Sequence, residues 1–306
     1  MAIASRFNLF LAGILLFALQ VVAQQVDFRA QPVAKTSDKP IPTYVDLPLD
    51  QLILRIPDLK GIEPAEDQKQ LPMILGRTGA SVDSFIENVG DLIANEDVTQ
   101  QRLDNNGKIK AKERIKDDYL ILHHGQEWGA GAEYRMDKNG NRLKAIGLEK
   151  GFLVTSGYAL SSMSFATNKQ SQSNYLYLGD QKIGARDAFV LAYAERPGKV
   201  SFTSIMRGAG GHEVDLLIQG VLWIDKSSCQ ILRKRSDLIA PSTEIRLEQL
   251  ITDVTFSPVQ LKDNPALLWL PIDVAVFIEI ANEKYRNLHH YTNYRRYQVA
   301  VKIGNP

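Results

Sequence analysis

Five histidines and one cysteine are the residues best suited to chemistry in this 306-residue chain, and their spacing restricts what that chemistry is. His123-His124 and His289-His290 are adjacent pairs in strand-like surroundings. Neighbours on a strand point to opposite faces, so neither pair holds one ion unless the backbone bends. One histidine from each pair would have to meet across strands, with His212 or an acid as third ligand, and no metal site is expected. Cys229 stands alone, which excludes an intrachain disulfide and any cysteine-cluster metal site. It opens an apolar strand pattern between Ser228 and Gln230 and reads as a small, partly buried residue. Gly-x-Ser-x-Gly, Ser-x-x-Lys and His-Glu-x-x-His are all missing, and strand alternation separates His212 from the acids Glu213 and Asp215. The chain therefore reads as a non-enzyme without a cofactor. A hydrolase with a cryptic site is the third choice.

Two other stretches invite functional readings and fail them. Gly208-Ala209-Gly210-Gly211 has no following helix, so it lacks the helix N-terminus that makes a glycine-rich loop hold phosphate, and it reads as a hairpin tip. Arg286, Arg295 and Arg296 interleave with four tyrosines over 285–297, a pattern compatible with stacking on single-stranded nucleic acid. The charge balance argues against that: 36 basic residues meet 35 acidic ones, for a net charge of +1. No nucleic-acid partner is expected.

Arg6, the apolar run over 9–19 and the small residues Val21 and Ala23 form a secretory signal pattern with cleavage near Ala23. The run is short against the roughly 20 residues that a spanning helix needs. Cleavage removes Arg6 and no acid, leaving a formally neutral chain that is expected to be soluble, in the periplasm or outside the cell, with no integral membrane segment.

The elements that position everything else are mostly strands. Seven of the 13 prolines fall in 24–72, so 24–46 reads as an extended or disordered leader, followed by a helical arm over 47–75 with a short helix that Pro57 ends. Val82, Phe85, Ile86, Val89, Leu92 and Ile93 make one apolar stripe, which predicts a helix over 81–96 capped by Ser81, with Gly79 as breaker. Strands then follow at 97–103 and 108–122 around Asn105-Asn106-Gly107, at 131–136 and 142–146, and onward to 284–303, with short turns that imply an antiparallel meander. The stretch 156–173, with six serines among Tyr158, Leu160, Met163 and Phe165, fits either an ordered edge loop or a mobile flap. One apolar and one mixed face per strand favours a single sheet over a sandwich. With one good helix to cover it, that sheet must curl around the helix.

Tyr175-Leu-Tyr-Leu-Gly179, Ile183-Gly-Ala-Arg186, Ala188-Phe-Val-Leu-Ala-Tyr193 and Gly220-Val-Leu-Trp-Ile-Asp225 resemble strands of the LolA/LolB-like lipoprotein-carrier superfamily. Ile56-Pro-Asp-Leu59, Ala194-Glu-Arg-Pro197 and Tyr285-Arg-Asn-Leu-His289 resemble uncharacterised secreted bacterial proteins of that type, and the likeness spans about 47–303. The resemblance implies an α+β, mostly β fold: a large curved antiparallel sheet, an unclosed β-barrel wrapped on one amphipathic helix, forming a single domain over 47–306. It also implies an apolar cavity that shelters acyl chains. The expected ligand contacts are Phe85, Val89 and Leu92 from the helix, with Trp128, Trp223 and Phe277 as aromatic walls. The partner is then a hydrophobic ligand or lipid acyl chain, and an envelope protein is a further candidate. A non-enzymatic envelope scaffold with a filled core is the alternative.

Overall fold

A computed structural model describes residues 41–122, 132–137, 139–142, 147–149, 151–155, 157–198, 205–207, 213–262 and 264–297. The signal pattern, most of the leader, His123, His124, Trp128, His212 and the 208–211 loop lie outside them.

In chain order the elements are α1 (Leu49–Arg55), a 3-10 turn (Pro57–Leu59), β1 (Glu63–Pro64), α2 (Leu71–Val89), β2 (Leu92–Leu103), β3 (Ile109–Leu122) and β4 (Ala132–Met136). A small hairpin of β5 (Gly147–Glu149) and β6 (Phe152–Val154) leads to two 3-10 helices, Leu160–Phe165 and Gln170–Gln172. There follow β7 (Ser173–Ile183), β8 (Arg186–Glu195), the paired β9 (Ile205–Arg207) and β10 (Glu213–Asp215), and β11 (Ile218–Asp225). The last are β12 (Ile231–Leu238), β13 (Leu247–Gln260), β14 (Leu267–Ile280) and β15 (Glu283–Arg296). Eleven strands form one antiparallel sheet in the order β1-β7-β8-β11-β12-β13-β14-β15-β2-β3-β4, with β1 and β4 at its two ends. The expected single unclosed sheet is therefore present. No helix among the described residues is long and apolar enough to cross a membrane.

The helix is shifted from its predicted place. α2 begins at Leu71 and ends at Val89, and its buried stripe is Ile74, Thr78, Val82, Phe85 and Val89. Gly90, at φ +54°, stops it. Arg296 donates to the carbonyls of Val89 and, at 3.1 Å, Asn88, satisfying the helix's last acceptors with a cation. Leu92 and Ile93, which fit the helical period, instead open β2, because pairing with β15 and β3 outweighs the local pattern. Gly79 does not break the helix. Its bare Cα lets Thr167 and Gln170 approach so closely that a Cβ would lie 2.7 Å from each. The Gln170 amide then donates to the carbonyls of Leu75, at 2.8 Å, and Phe165, at 3.1 Å, joining α2 to the 158–172 stretch. These two pieces together form a cover over one side of the sheet. Tyr158, Leu160, Met163 and Phe165 are buried in the same apolar cluster as Val82 and Phe85, so this stretch is core-forming rather than an edge loop.

On the other side of the sheet the arm packs flat. Leu52, Ile56 and Leu59 are fully buried against Val190, Ala192, Val221, Trp223 and Leu232. Here β8 and β11 are apolar on both faces, which corrects the expectation of one mixed face throughout: the arm supplies the second hydrophobic layer. Tyr44 extends that layer, its amide donating to Gln219 at 2.8 Å and its hydroxyl to Asp237 at 2.9 Å.

Candidate functional site

The face beneath the cover is the candidate site, and the sequence-predicted residues divide around it. Phe85 and Val89 from α2 and Leu92 from β2 share the large cluster on that face. Trp223 does not join them. On β11 it has the opposite parity to the inward Leu222 and Ile224, so it lies under the arm, its indole donating to Gln181 at 2.8 Å and Arg233 lying 4.8 Å over its ring. Phe277 alternates with the buried Val276 and Ile278 and sits half-buried on the outer face. Strand alternation thus removes both aromatics from the predicted wall, and Trp128 lies outside the described residues.

Sequence reasoning missed a polar network on the same inner face. Glu96 of β2 has a fully buried side chain and takes the Arg135 guanidinium of β4 in a two-pronged pair, one prong at 2.7 Å. One Glu96 oxygen also accepts from the His289 Nδ1 at 2.8 Å and the Tyr291 hydroxyl at 2.7 Å. Burial alone would raise the Glu96 carboxyl, but the hydrogen bonds from Arg135 and His289 outweigh it and hold the group down at about 2. Burial pushes His289 below its ordinary value despite the adjacent carboxylate. Arg135 already supplies the cation that Glu96 needs. In the neutral ring that these partners fit, Nδ1–H donates to Glu96 and Nε2 accepts from the Thr155 hydroxyl at 3.1 Å. The structure places His289 inward and His290 outward against Asp273, on opposite faces of β15.

Hydroxyl, imidazole and carboxylate in this order resemble a nucleophilic triad. The surroundings give them a different task. The Thr155 hydroxyl also accepts from Asn287 at 2.9 Å, its carbonyl is taken by Arg135 at 2.9 Å, and the residue is 5% exposed. Asn287 and Gln100 donate to the Leu153 carbonyl at 2.7 and 3.2 Å. Glu133 accepts the amides of Leu160 and Ala159 at 2.7 and 3.2 Å, and the Tyr119 hydroxyl faces those of Gly157 and Tyr158. Side chains of the sheet thus satisfy the carbonyls of Leu153 and Thr155 and the amides of 157–160. The network fastens the cover to the floor.

The signal for it was present in the alternation. Glu96 and Gln100 share parity with the buried Leu92 and Val98, and Asn287 and His289 share it with Tyr285 and Tyr291. Polar residues at inward positions mark a buried network, since such groups are tolerated only when hydrogen-bonded. Outside the cover, a polar cleft of about 310 Å³ lies among Asp97, Asp117, Asp118, Asp137 and His290. A second, of about 330 Å³, is lined by Glu63, Asp180, Gln181 and Lys226.

No protein-family model matches the chain, and no curated protein does. Among solved structures it is similar to a domain from Vibrio parahaemolyticus assigned to outer membrane lipoprotein-sorting proteins, at 14% identity over 75% of this chain and 94% of that one, with a TM-score of 0.37. A DUF1329 family protein from Desulfovibrio piger is similar at 13% identity over 76% of this chain and 94% of that one, with a TM-score of 0.35. The lipoprotein LppX of Mycobacterium tuberculosis is similar at 10% identity over 76% of this chain and 99% of that one, with a TM-score of 0.25.

Proposed function

We propose that the chain is an exported, non-enzymatic binding protein that shelters an apolar or lipid-like ligand between the inner face of its sheet and the cover. The observation that carries this reading is how the cover is attached. Leu191, Leu222, Val254 and Val276 make the inner face apolar, while backbone groups of Leu153, Thr155 and 157–161 rest on side-chain donors and acceptors of the sheet. Such contacts exchange for water when the cover lifts, and the sheet keeps its own ladders intact. An acyl chain entering there would gain about 25 cal/mol for each Å² of apolar surface removed from water, with little demand on its exact shape. The pattern over 1–23 supports export.

A second reading, an envelope scaffold with a filled core, is favoured by one observation. Phe165 packs edge-on against Tyr193 at 5.0 Å, and Leu160 and Met163 occupy the same interior. Mass spectrometry of lipid extracted from the purified chain, together with uptake of a fluorescent acyl probe, separates the two. Carriage predicts a co-purifying lipid or saturable uptake. Repeated absence of both refutes it in favour of the scaffold.

A further inference from the structure

Lys234 is a buried cation on the inner face whose charge its single bond to the cover does not explain. It pairs across the sheet with Leu222 on β11 and Val254 on β13, both core residues, and is 7% exposed. Its ammonium donates to the Ser161 carbonyl at 2.9 Å, and the Phe165 ring lies 5.6 Å away. Three donors and a full charge are thus met by one neutral carbonyl and a ring. Glu195 acts on the ammonium through space, but its carboxylate accepts the Ile218 amide at 3.0 Å. Burial pulls the amine down to about 8, so it still carries its charge at neutral pH. A buried charge without a carboxylate in contact is costly, and a methionine of similar length would pack there without that cost.

A second polar group lies against the same Phe165 ring. The Tyr193 hydroxyl is buried on the same face, next to Ser236 but without a hydrogen bond of normal geometry. Gly220 makes room for it, since a Cβ there would stand 2.8 Å from that hydroxyl. Phe165 covers both Lys234 and Tyr193, and it belongs to the cover.

We propose that Lys234 and Tyr193 form the headgroup site for the carboxylate of a fatty acid, which takes the place of the Ser161 carbonyl while its chain lies along Leu191, Leu222 and Val254. One ammonium and one hydroxyl match the two oxygens of a carboxylate. A phosphate would bury a further oxygen without a donor. This rests on the carriage reading and names its ligand class.

The test compares cis-parinaric acid with its methyl ester, by fluorescence titration of the full chain at pH 7. The wild type is expected to bind the acid about tenfold more tightly than the ester, as a charge-assisted contact implies. Lys234→Met is expected to bind the two within about twofold of each other, with an unchanged ester affinity and a urea midpoint no lower than wild type. Tyr193→Phe is expected to weaken the acid about threefold and leave the ester unchanged. Equal binding of acid and ester by the wild type, or an acid preference that survives in Lys234→Met, overturns the headgroup site and leaves carriage standing. Failure of both probes to bind overturns carriage, and the headgroup site with it.

Discussion

Replacing Glu96 by glutamine tests how firmly the floor of the sheet holds the cover. The two carboxylate oxygens of Glu96 receive both prongs of Arg135, the His289 Nδ1–H and the Tyr291 hydroxyl, with the side chain fully buried. Glutamine keeps one acceptor, turns the other into a donor aimed at donors, and leaves Arg135 at 4% side-chain exposure without its counter-charge. Breaking a buried pair from one side costs about 3–5 kcal/mol. The hydrogen bonds from Arg135 and His289 hold the Glu96 carboxyl below its ordinary value, which has the same sign. Urea unfolding at pH 7.5 reads the effect as a midpoint lowered by about 1.5 M, at a slope near 2–3 kcal/mol/M. Because the folded value lies below the unfolded one, this stability is present above about pH 4.5 and disappears as the pH falls toward 2. Glu96→Gln should therefore show a shallower acid slope than the wild type, whose remainder comes from other lowered carboxylates such as Asp97 and Asp225. The double variant Glu96→Gln/Arg135→Met, which removes the stranded cation, should recover at least half of the loss. A single-variant cost under about 1 kcal/mol, or no recovery in the double, would refute the view of this pair as the anchor of the network that holds Thr155.

Three further outcomes follow from other residues. Burial raises Glu133 to about 7, so its ionisation opposes folding: wild-type stability should fall as the pH rises from 5 to 8, and Glu133→Gln should flatten that decline in urea midpoints. Trp223→Phe gives up the indole bond to Gln181 and part of the packing under the arm, for about 1–3 kcal/mol in urea unfolding, yet should leave acyl-probe affinity unchanged. A change in affinity greater than about threefold would return Trp223 to the ligand wall. Burial also raises the Cys229 thiol, so in the native chain it should react with a thiol reagent at least 100-fold more slowly than in urea, followed by absorbance.

The strands and turns were legible in the sequence because their cues are local. Asn105-Asn106-Gly107 makes its turn with Gly107 at φ +78° and the Asp104 carboxylate accepting the amides of Asn106 and Lys108. Pro57 ends the arm's helix where its missing donor requires. The bounds of α2 were not local. Gly79 inside a helix makes sense only once Thr167 and Gln170 rest on it, and Leu92 leaves the helical stripe because β15, about two-thirds of the chain away, pairs with it. The inner face was half legible. Its apolar positions follow from alternation, but Trp223 and Phe277 were assigned to it by residue type, and parity places them elsewhere. Glu96, His289 and Lys234 stand at inward positions that parity also identifies. Their partners come from four distant segments, which no spacing rule brings together.

The order of strands in the sheet also sets an order of assembly. β2, β3 and β4 leave the ribosome early, but among the described strands they join the rest of the sheet through β15, the last of them in sequence. Until 283–296 is available, the chain holds two separate groups of strands, one carrying Glu96 and Arg135 and the other carrying Lys234. The same strand supplies His289 and Tyr291 to the network and Arg296 to the end of α2. One segment is thus hinge-pin, latch and stop for the whole cover. A chain that halted at residue 282 would keep nearly every inner-face hydrophobe but lose the strand that joins the two groups and ties the network to the cover.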